Sequence, residues 1–231
     1  MGIKQQFDNF SDDYDEALSK GIAISGEDKY YFAEKRVEWL AVCLKNIKFY
    51  PKKILDFGCG IGSAVDFLLK IESAIDVTGV DVSEKSLEIA RKKHAKKKAS
   101  FYLPDNFAEK STIELAFCNG VFHHIPLEQR AEAIGFINCS LKLGGIFSFW
   151  ENNPWNPGTR VVMNRIPFDR DAITLNYIQA QNLIKNGGFE ILQTDFRFYF
   201  PRSLSYLRIL EKFIVKMPLG AQYQILARKI E

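Results

Sequence analysis

The stretch Ile54-Leu55-Asp56-Phe57-Gly58-Cys59-Gly60-Ile61-Gly62 constrains this chain more than any other. Ile54, Leu55 and Phe57 predict a short buried strand, with Lys52 and Lys53 at its solvated start. Glycine at every second position then requires a tight turn whose backbone can approach a ligand closely. Ser63 to Lys70 continues at helical spacing through Val65, Leu68 and Leu69. The unit is predicted as strand, glycine turn and helix, with free N–H groups and a positive helix end facing whatever binds there.

The dinucleotide fingerprint G-x-G-x-x-G does not fit, because its third glycine would fall at Ser63 or Val65. The order is Asp-x-Gly-x-Gly-x-Gly, with Asp56 inside the strand end. An acid there would repel a pyrophosphate and suits a ligand carrying an ammonium group. A second apolar run, Val77 to Val82, ends in Gly79-Val80-Asp81-Val82-Ser83. Asp81 at that strand end can accept two ribose hydroxyls in a bidentate hydrogen bond.

Residues 54–62 and 77–83 resemble the first two motifs of class I S-adenosylmethionine-dependent methyltransferases, those of small molecules in particular, and a weaker resemblance runs over about residues 7–200. The resemblance implies an α/β, Rossmann-like fold: a seven-stranded, mostly parallel sheet with the last strand antiparallel, helices on both faces and a small helical cap. It also implies S-adenosyl-L-methionine as cofactor, with S-adenosyl-L-homocysteine as product. Asp56, Gly58, Cys59, Gly60 and Gly62 would hold it in the turn, with Asp81 and Val82 at the second strand end.

Length and composition set the frame. At 231 residues the chain fits one domain, read as a helical cap over 1–50, a cofactor-binding core over 51–200, and an inserted helix and last strand over 201–231. A net charge of +3 is too mild to imply nucleic acid by itself. Cys43, Cys59, Cys118 and Cys139 show neither C-x-x-C pairing nor zinc spacing, which favours free thiols in a reducing compartment and predicts no metal. No apolar run approaches the ~20 residues that span a bilayer, and the start has no signal-peptide core. A cytoplasmic protein, monomeric or homodimeric, is expected.

Along the chain, residues 7–15 resemble an opening common in small-molecule members of the family, where a tyrosine closes over the cofactor; Tyr14 holds that place. Glu27 to Leu44 predicts an amphipathic helix with Tyr30, Ala33, Val37, Leu40, Ala41 and Leu44 on its packed face. Ser83 is expected to cap a helix carrying Leu87, Ala90 and His94 inward, and the basic run Arg91 to Lys98 reads as its solvated end. Ala99 to Leu103 is a third strand. By resemblance, Asp105 after it accepts the adenine amino group and Asn106 offers a backbone N–H, although an Asp-Asn pair also suits a plain turn.

Ile113 to Cys118 is the fourth strand, leading into Asn119-Gly120-Val121-Phe122-His123-His124. Its end should face the reacting centre, since ligands of such sheets bind outside the carboxyl ends of the strands. Asn119 and Gly120 are therefore assigned to the cofactor, His123 to the substrate, and His124 to proton removal, with Glu151 as second candidate base. Pro126 starts a helix to about Leu141 that Gly144-Gly145 ends, and Ile146 to Trp150 is the fifth strand. Asn153-Pro154-Trp155 looks like the Asn-Pro-aromatic clamp of base and amide methyltransferases. It follows the fifth strand, not the fourth, so Asn153 and Trp155 are placed in a substrate-side loop. Arg160, Arg165 and Arg170 would share that loop as a clasp for a carboxylate or phosphate, with Arg165 assigned to the substrate. A helix capped by Thr174 or Asn176 and strands over 189–194 and 223–227 complete the core.

Methyl transfer from a sulfonium needs alignment more than a nucleophile, which accords with the absence of H-E-x-x-H, Walker and G-x-S-x-G patterns. The reading is a methyltransferase of a small-molecule or lipid-linked acceptor. An RNA or protein methyltransferase using the basic helix end is the alternative. Leu207, Leu210, Ile214 and Met217 share one helical face beside Arg208, Lys212 and Lys216, so residues 204–217 are expected as a lid helix or a peripheral membrane contact.

Overall fold

In a computed structural model the strands form one seven-stranded sheet with helices on both faces. The structure describes residues 21–166, 169 and 172–231; Tyr14 and Arg170 lie outside the described residues. In chain order the elements are α1 (Lys29–Asn46), β1 (Lys53–Phe57), α2 (Val65–Leu68), β2 (Asp76–Val80), α3 (Glu84–Lys93), β3 (Ala99–Tyr102) and β4 (Ile113–Asn119). Then follow α4 (Arg130–Ser140), β5 (Leu141–Asn152), α5 (Pro157–Arg165), α6 (Tyr177–Asn186), β6 (Phe189–Arg197), α7 (Glu211–Ile214) and β7 (Gln222–Lys229).

The sheet order is β3-β2-β1-β4-β5-β7-β6. The pairs from β3 to β5 are parallel, and β7 runs antiparallel between β5 and β6. Parallel strands covered on both faces need near-continuous apolar runs, and Leu115, Ala116, Phe117 and Cys118 of β4 are all buried. Successive residues feed opposite layers. Leu55, Ala116 and Phe147 pack with Ile134 and Ile137 of α4 and Ala180 and Ile184 of α6. Ile54, Leu115 and Ile146 pack with Leu40 of α1, Leu68 of α2 and Leu87 of α3.

Caps explain several boundaries. The Ser83 hydroxyl accepts from the Ser86 N–H at the start of α3, and Asn176 with Gln179 forms a capping box on α6. Asn156 caps α5 by accepting from Thr159 N–H at 2.9 Å, with Pro157 in the first turn. The segment expected as a long arginine-bearing loop is therefore helical in its first half, and Arg160 and Arg165 are exposed on it.

Other expectations need correction. The helix after the glycine turn is a single turn, Val65–Leu68, because residues 60–64 are taken up by successive tight turns. On α1 the expected Ala33, Val37, Leu40 and Leu44 are buried, joined by Arg36 and Cys43, while Tyr30 is 44% exposed and Ala41 only half-buried. α4 ends at Ser140, and Gly144-Gly145 lie inside β5, where the register against β4 shifts between Ile113 and Leu115. Residues 201–218 are not one helix. A 3-10 segment, Arg202–Leu210, is kinked at Leu204 and passes into α7. Its cations do not form an outward row: Arg208 pairs with Glu27 at 2.9 Å, and Lys216 pairs with Asp195. Glu211 turns inward to accept from the N–H groups of Tyr199 and Phe200. No helix among the described residues is long and apolar enough to cross a membrane.

Candidate functional site

The strand order reverses between β1 and β4, and a cleft of about 1310 Å³ opens at the carboxyl ends of the strands there. One wall comes from the β1 and β2 ends. The other comes from the ends of β4 and β5 with α5 and the segment after β6.

In the first wall the three alternate glycines all adopt the left-handed region, at φ 72°, 51° and 73°. They do different work. A Cβ on Gly58 would collide with Val121 at 2.3 Å, and one on Gly62 would meet the His94 ring at 2.9 Å. A Cβ on Gly60 would meet nothing within 4 Å, so this glycine keeps the cleft clear. Gly58 and Cys59 donate their N–H groups to Val80 O, which ties the turn to the end of β2. Gly60 N–H donates to Asp81 Oδ2 at 2.8 Å, and Ser83 N–H donates to Asp81 Oδ1 at 2.9 Å. The turn's amides are thus largely engaged within the protein, contrary to the free donors expected. A carboxylate can accept more than two hydrogen bonds, so Asp81 is an acceptor of the kind that ribose hydroxyls require.

Asp56 lies beneath the turn, 3% exposed, with Oδ2 buried and without a hydrogen bond. Burial, with repulsion from Asp81, raises its carboxyl to about 7. A buried, unpaired carboxylate facing a cleft is the complement of a cationic amino group. Val82 and Asp105 also line the cleft. Asn106 does not, and its backbone N–H is held by Leu103 O at 3.0 Å, so it has none to offer to a ring nitrogen. Gly62 is likewise off the cleft: it makes room for His94, whose Nε2 lies 2.9 Å from Gly62 O.

Asn119 and Gly120 line the cleft where β4 ends, and the Gly120 N–H is fastened to Trp150 O at 2.9 Å. The chain then turns and presents His123 and His124 side by side, ring centroids 4.0 Å apart. His123 Nδ1 lies 2.7 Å from Glu151 Oε2. Both histidine Nε2 atoms approach one oxygen, Asp169 Oδ1, at 3.4 Å from His123 and 3.2 Å from His124. Asp169 is 7% exposed, and neither contact is aligned as a hydrogen bond.

The charges in this group are strongly biased. Burial, the largest single influence, would lower His123, but the two acids beside it, Glu151 and then Asp169, together outweigh burial and raise the imidazole to about 10. His124 goes the other way, lowered by burial and by its charged neighbour. Burial opposes ionisation of Asp169, yet its two histidine partners hold it at about 2. Glu151 is also held below its ordinary range, by the charge and hydrogen bond of His123, against burial. Glu151 further accepts from Phe122 N–H at 2.8 Å and lies behind His123, off the cleft. Such a carboxylate positions its neighbour and is badly placed as a base.

The expected substrate-side residues separate. His123 lines the cleft, whereas Asn153, Trp155 and Arg165 do not. Asn153 is fully buried, and its amide donates to Pro218 O at 3.0 Å and Gly220 O at 2.8 Å, so it latches two loops together. Trp155 stacks edge-on against Tyr177. Several lining residues went unread in the sequence: Phe32 and Arg36 of α1, Val162 and Met163 of α5, and Asp169. The Asn-Pro start signal at 156–157 was available for α5; Asp169 carried no local signal.

Residues 55–147 match a family model described as a methyltransferase domain. A 119-residue stretch is 24% identical to trans-aconitate 2-methyltransferase of Rhodopseudomonas palustris (strain BisB5), covering 52% of this chain and 46% of that protein, about half its length. An S-adenosylmethionine-dependent methyltransferase of Thermotoga maritima superposes with a TM-score of 0.67 at 17% identity, over 99% of this chain and 100% of that one. Magnesium protoporphyrin IX methyltransferase of Synechocystis PCC 6803, solved with bound S-adenosylhomocysteine, gives 0.65 at 16% identity over 98% of each chain.

Proposed function

We propose that this chain, which matches a methyltransferase-domain model over residues 55–147 and has the fold of solved S-adenosylmethionine-dependent methyltransferases, transfers a methyl group from S-adenosylmethionine to a small organic acceptor held against the β4–β5 wall. The observation that carries the reading is the β1–β2 wall. An unpaired, buried Asp56 carboxylate lies under a glycine turn that is itself fixed by Asp81. Those residues fit the cofactor's two polar ends: Asp56 complements its amino group, and Asp81 its ribose hydroxyls. When bound, the cofactor supplies a methyl group on a sulfonium with a neutral leaving group.

The chain's own residues have the remaining tasks. Gly60 lets the ligand lie against the backbone, and Asn119 and Gly120 border the point where the two walls meet. The β4–β5 wall combines an apolar side, from Val162, Met163 and Ile166, with the polar group of His123, His124 and Asp169. That pairing suits an acceptor with an apolar body and one oxygen or nitrogen function. Where the acceptor must lose a proton, His124 is the better base of the two imidazoles, because burial and the charge of His123 lower its pKa and favour its neutral form. An amine or carboxylate needs no base, and alignment within about 3 Å of the methyl then supplies most of the rate. Ile209 and Phe213 are 68% and 74% exposed on the insertion, beside cleft-lining Pro201 and Arg208. This supports the narrower suggestion of a lipid-linked acceptor, which flotation with anionic liposomes would test.

Calorimetry with S-adenosylhomocysteine and with NAD tests the central reading. S-adenosylhomocysteine is expected to bind with a Kd in the micromolar range and NAD not to bind. The reverse order would overturn it. Incubation with labelled methyl donor and a metabolite panel then identifies the acceptor.

A further inference from the structure

We propose that His123, His124 and Asp169 form a binding site for one divalent transition-metal ion on the acceptor wall of the cleft. The inference concerns a site separate from the cofactor wall and does not depend on how the cofactor is held.

Each group offers one ligand atom, and the three atoms lie within 4.8 Å of one another. Metal–nitrogen and metal–oxygen bonds of about 2.1 Å in a tetrahedral set place neighbouring ligand atoms about 3.4 Å apart. The two Nε2 atoms stand 3.4 and 3.2 Å from Asp169 Oδ1, so two edges of such a set are already formed. These separations suit a shared ion better than direct hydrogen bonds: Oδ1 is buried and accepts no aligned bond from either ring.

The surroundings support the same assignment. A metal-binding histidine characteristically directs its other ring nitrogen to a carboxylate, which fixes the tautomer and aims the lone pair. Glu151 does this to His123, at 2.7 Å from Nδ1, and is itself held by the Phe122 N–H. With neutral imidazoles, Glu151 and Asp169 give the group two negative charges, which a divalent cation balances. Arg130, a cation near Glu151 among the described residues, directs its guanidinium to Ile125 O and Ile173 O instead.

Two imidazoles and one carboxylate are borderline ligands that suit zinc, cobalt or iron better than magnesium or calcium. Three protein ligands leave a position for solvent or an acceptor oxygen, as in catalytic metal sites. An ion there would bind a hydroxyl or carboxylate acceptor and ease loss of a hydroxyl proton, a task otherwise left to His124.

The test is titration of the untagged full chain, carrying Cys139→Ser to remove its exposed thiol, with Co2+ and Zn2+. Visible absorption reports four-coordinate Co2+, and competition by Zn2+ gives affinity. One equivalent should bind, with at least tenfold weaker affinity in Asp169→Asn and in His124→Gln. Glu151→Gln should weaken it by about tenfold to a hundredfold. No saturable binding at micromolar to millimolar metal would overturn the proposal, as would binding unchanged by both ligand variants. Circular dichroism of the same preparations without metal shows whether each variant is folded, and S-adenosylhomocysteine calorimetry is run beside it. That calorimetry keeps failure of this site distinct from failure of the cofactor reading.

Discussion

On the β1–β2 side of the cleft, Asp56, Gly60 and Asp81 come from two consecutive strand ends, and hydrogen bonds between neighbouring turns hold them together. On the β4–β5 side, His123, Glu151 and Asp169 come from three separate segments that meet only in the fold. The first wall is rigid backbone with two acids; the second is a set of interlocked side chains. Ligand fit on the first should therefore be sensitive to single atoms added to the backbone. On the second, removing one partner leaves its neighbours as buried charges without compensation.

The largest effect is expected from Gly60→Val. A branched side chain would project into the space where nothing now lies within 4 Å, which is where the ligand is proposed to pass. The φ of 51° adds strain of about 1–2 kcal/mol, too little to unfold a domain of this size. Calorimetry should find S-adenosylhomocysteine binding lost, with a circular dichroism spectrum like that of the parent. Gly58→Val is a poorer probe, since its collision with Val121 would disturb the core as well. Normal binding by a folded Gly60→Val protein would remove the turn from the site.

Asp56→Asn should separate binding from stability. The buried carboxyl titrates at about 7, far above its unfolded value of 3.8. The folded protein therefore holds this proton more tightly than the unfolded chain does. The group's stability contribution is fully present below pH 4 and is lost as pH rises through about 7. At pH 8 the ligand-free parent carries a penalty that the amide lacks, on the order of 4 kcal/mol at most. Asp56→Asn should thus melt higher than the parent at pH 8, with the gap closing toward pH 5. Its affinity for S-adenosylhomocysteine should fall at least tenfold, because a charge-assisted hydrogen bond worth about 1.5–3 kcal/mol is lost. In the parent, affinity should also decline as pH drops below about 7. A variant less stable than the parent at pH 8 would mean that Asp56 has a partner in the folded protein.

The same contrast explains what could be read from residues alone. The β1–β2 wall was legible because strand, glycine turn and acid are contiguous, and their spacing carries the geometry. Gly62 and Asn106 show the limit of that spacing: one turned out to accommodate His94, and the other closes its own 3-10 turn. On the opposite wall His123 and His124 stand out by following the fourth strand, but Asp169 belongs to no motif and gains meaning only beside them. The insertion misled through its periodicity. Apolar residues at three- and four-residue steps fit a 3-10 segment followed by one α-turn as well as a continuous helix, and the kink at Leu204 has no sequence marker.

The smallest effect on binding is expected from Asn153→Ala, which tests where the second wall ends. The Asn-Pro-Trp pattern predicts Asn153 at the substrate, yet its amide donates to Pro218 O and Gly220 O, and its Oδ1 accepts from Trp155 N–H at 3.1 Å. Truncation leaves buried carbonyls unsatisfied, at a cost of about 2–3 kcal/mol. The melting temperature should fall by several degrees. Affinity for S-adenosylhomocysteine should stay within twofold of the parent, because no atom lining the cofactor wall is touched. Arg165→Ala serves as the companion variant, removing a charge that is exposed and off the cleft. It should alter neither stability nor turnover measurably once an acceptor is found. A loss of turnover in Arg165→Ala with unchanged melting would extend the acceptor site outward along α5, beyond Val162 and Met163. A loss of cofactor affinity in Asn153→Ala would show that the latch between the two loops also shapes the first wall, and the two sides would then have to be treated as one unit.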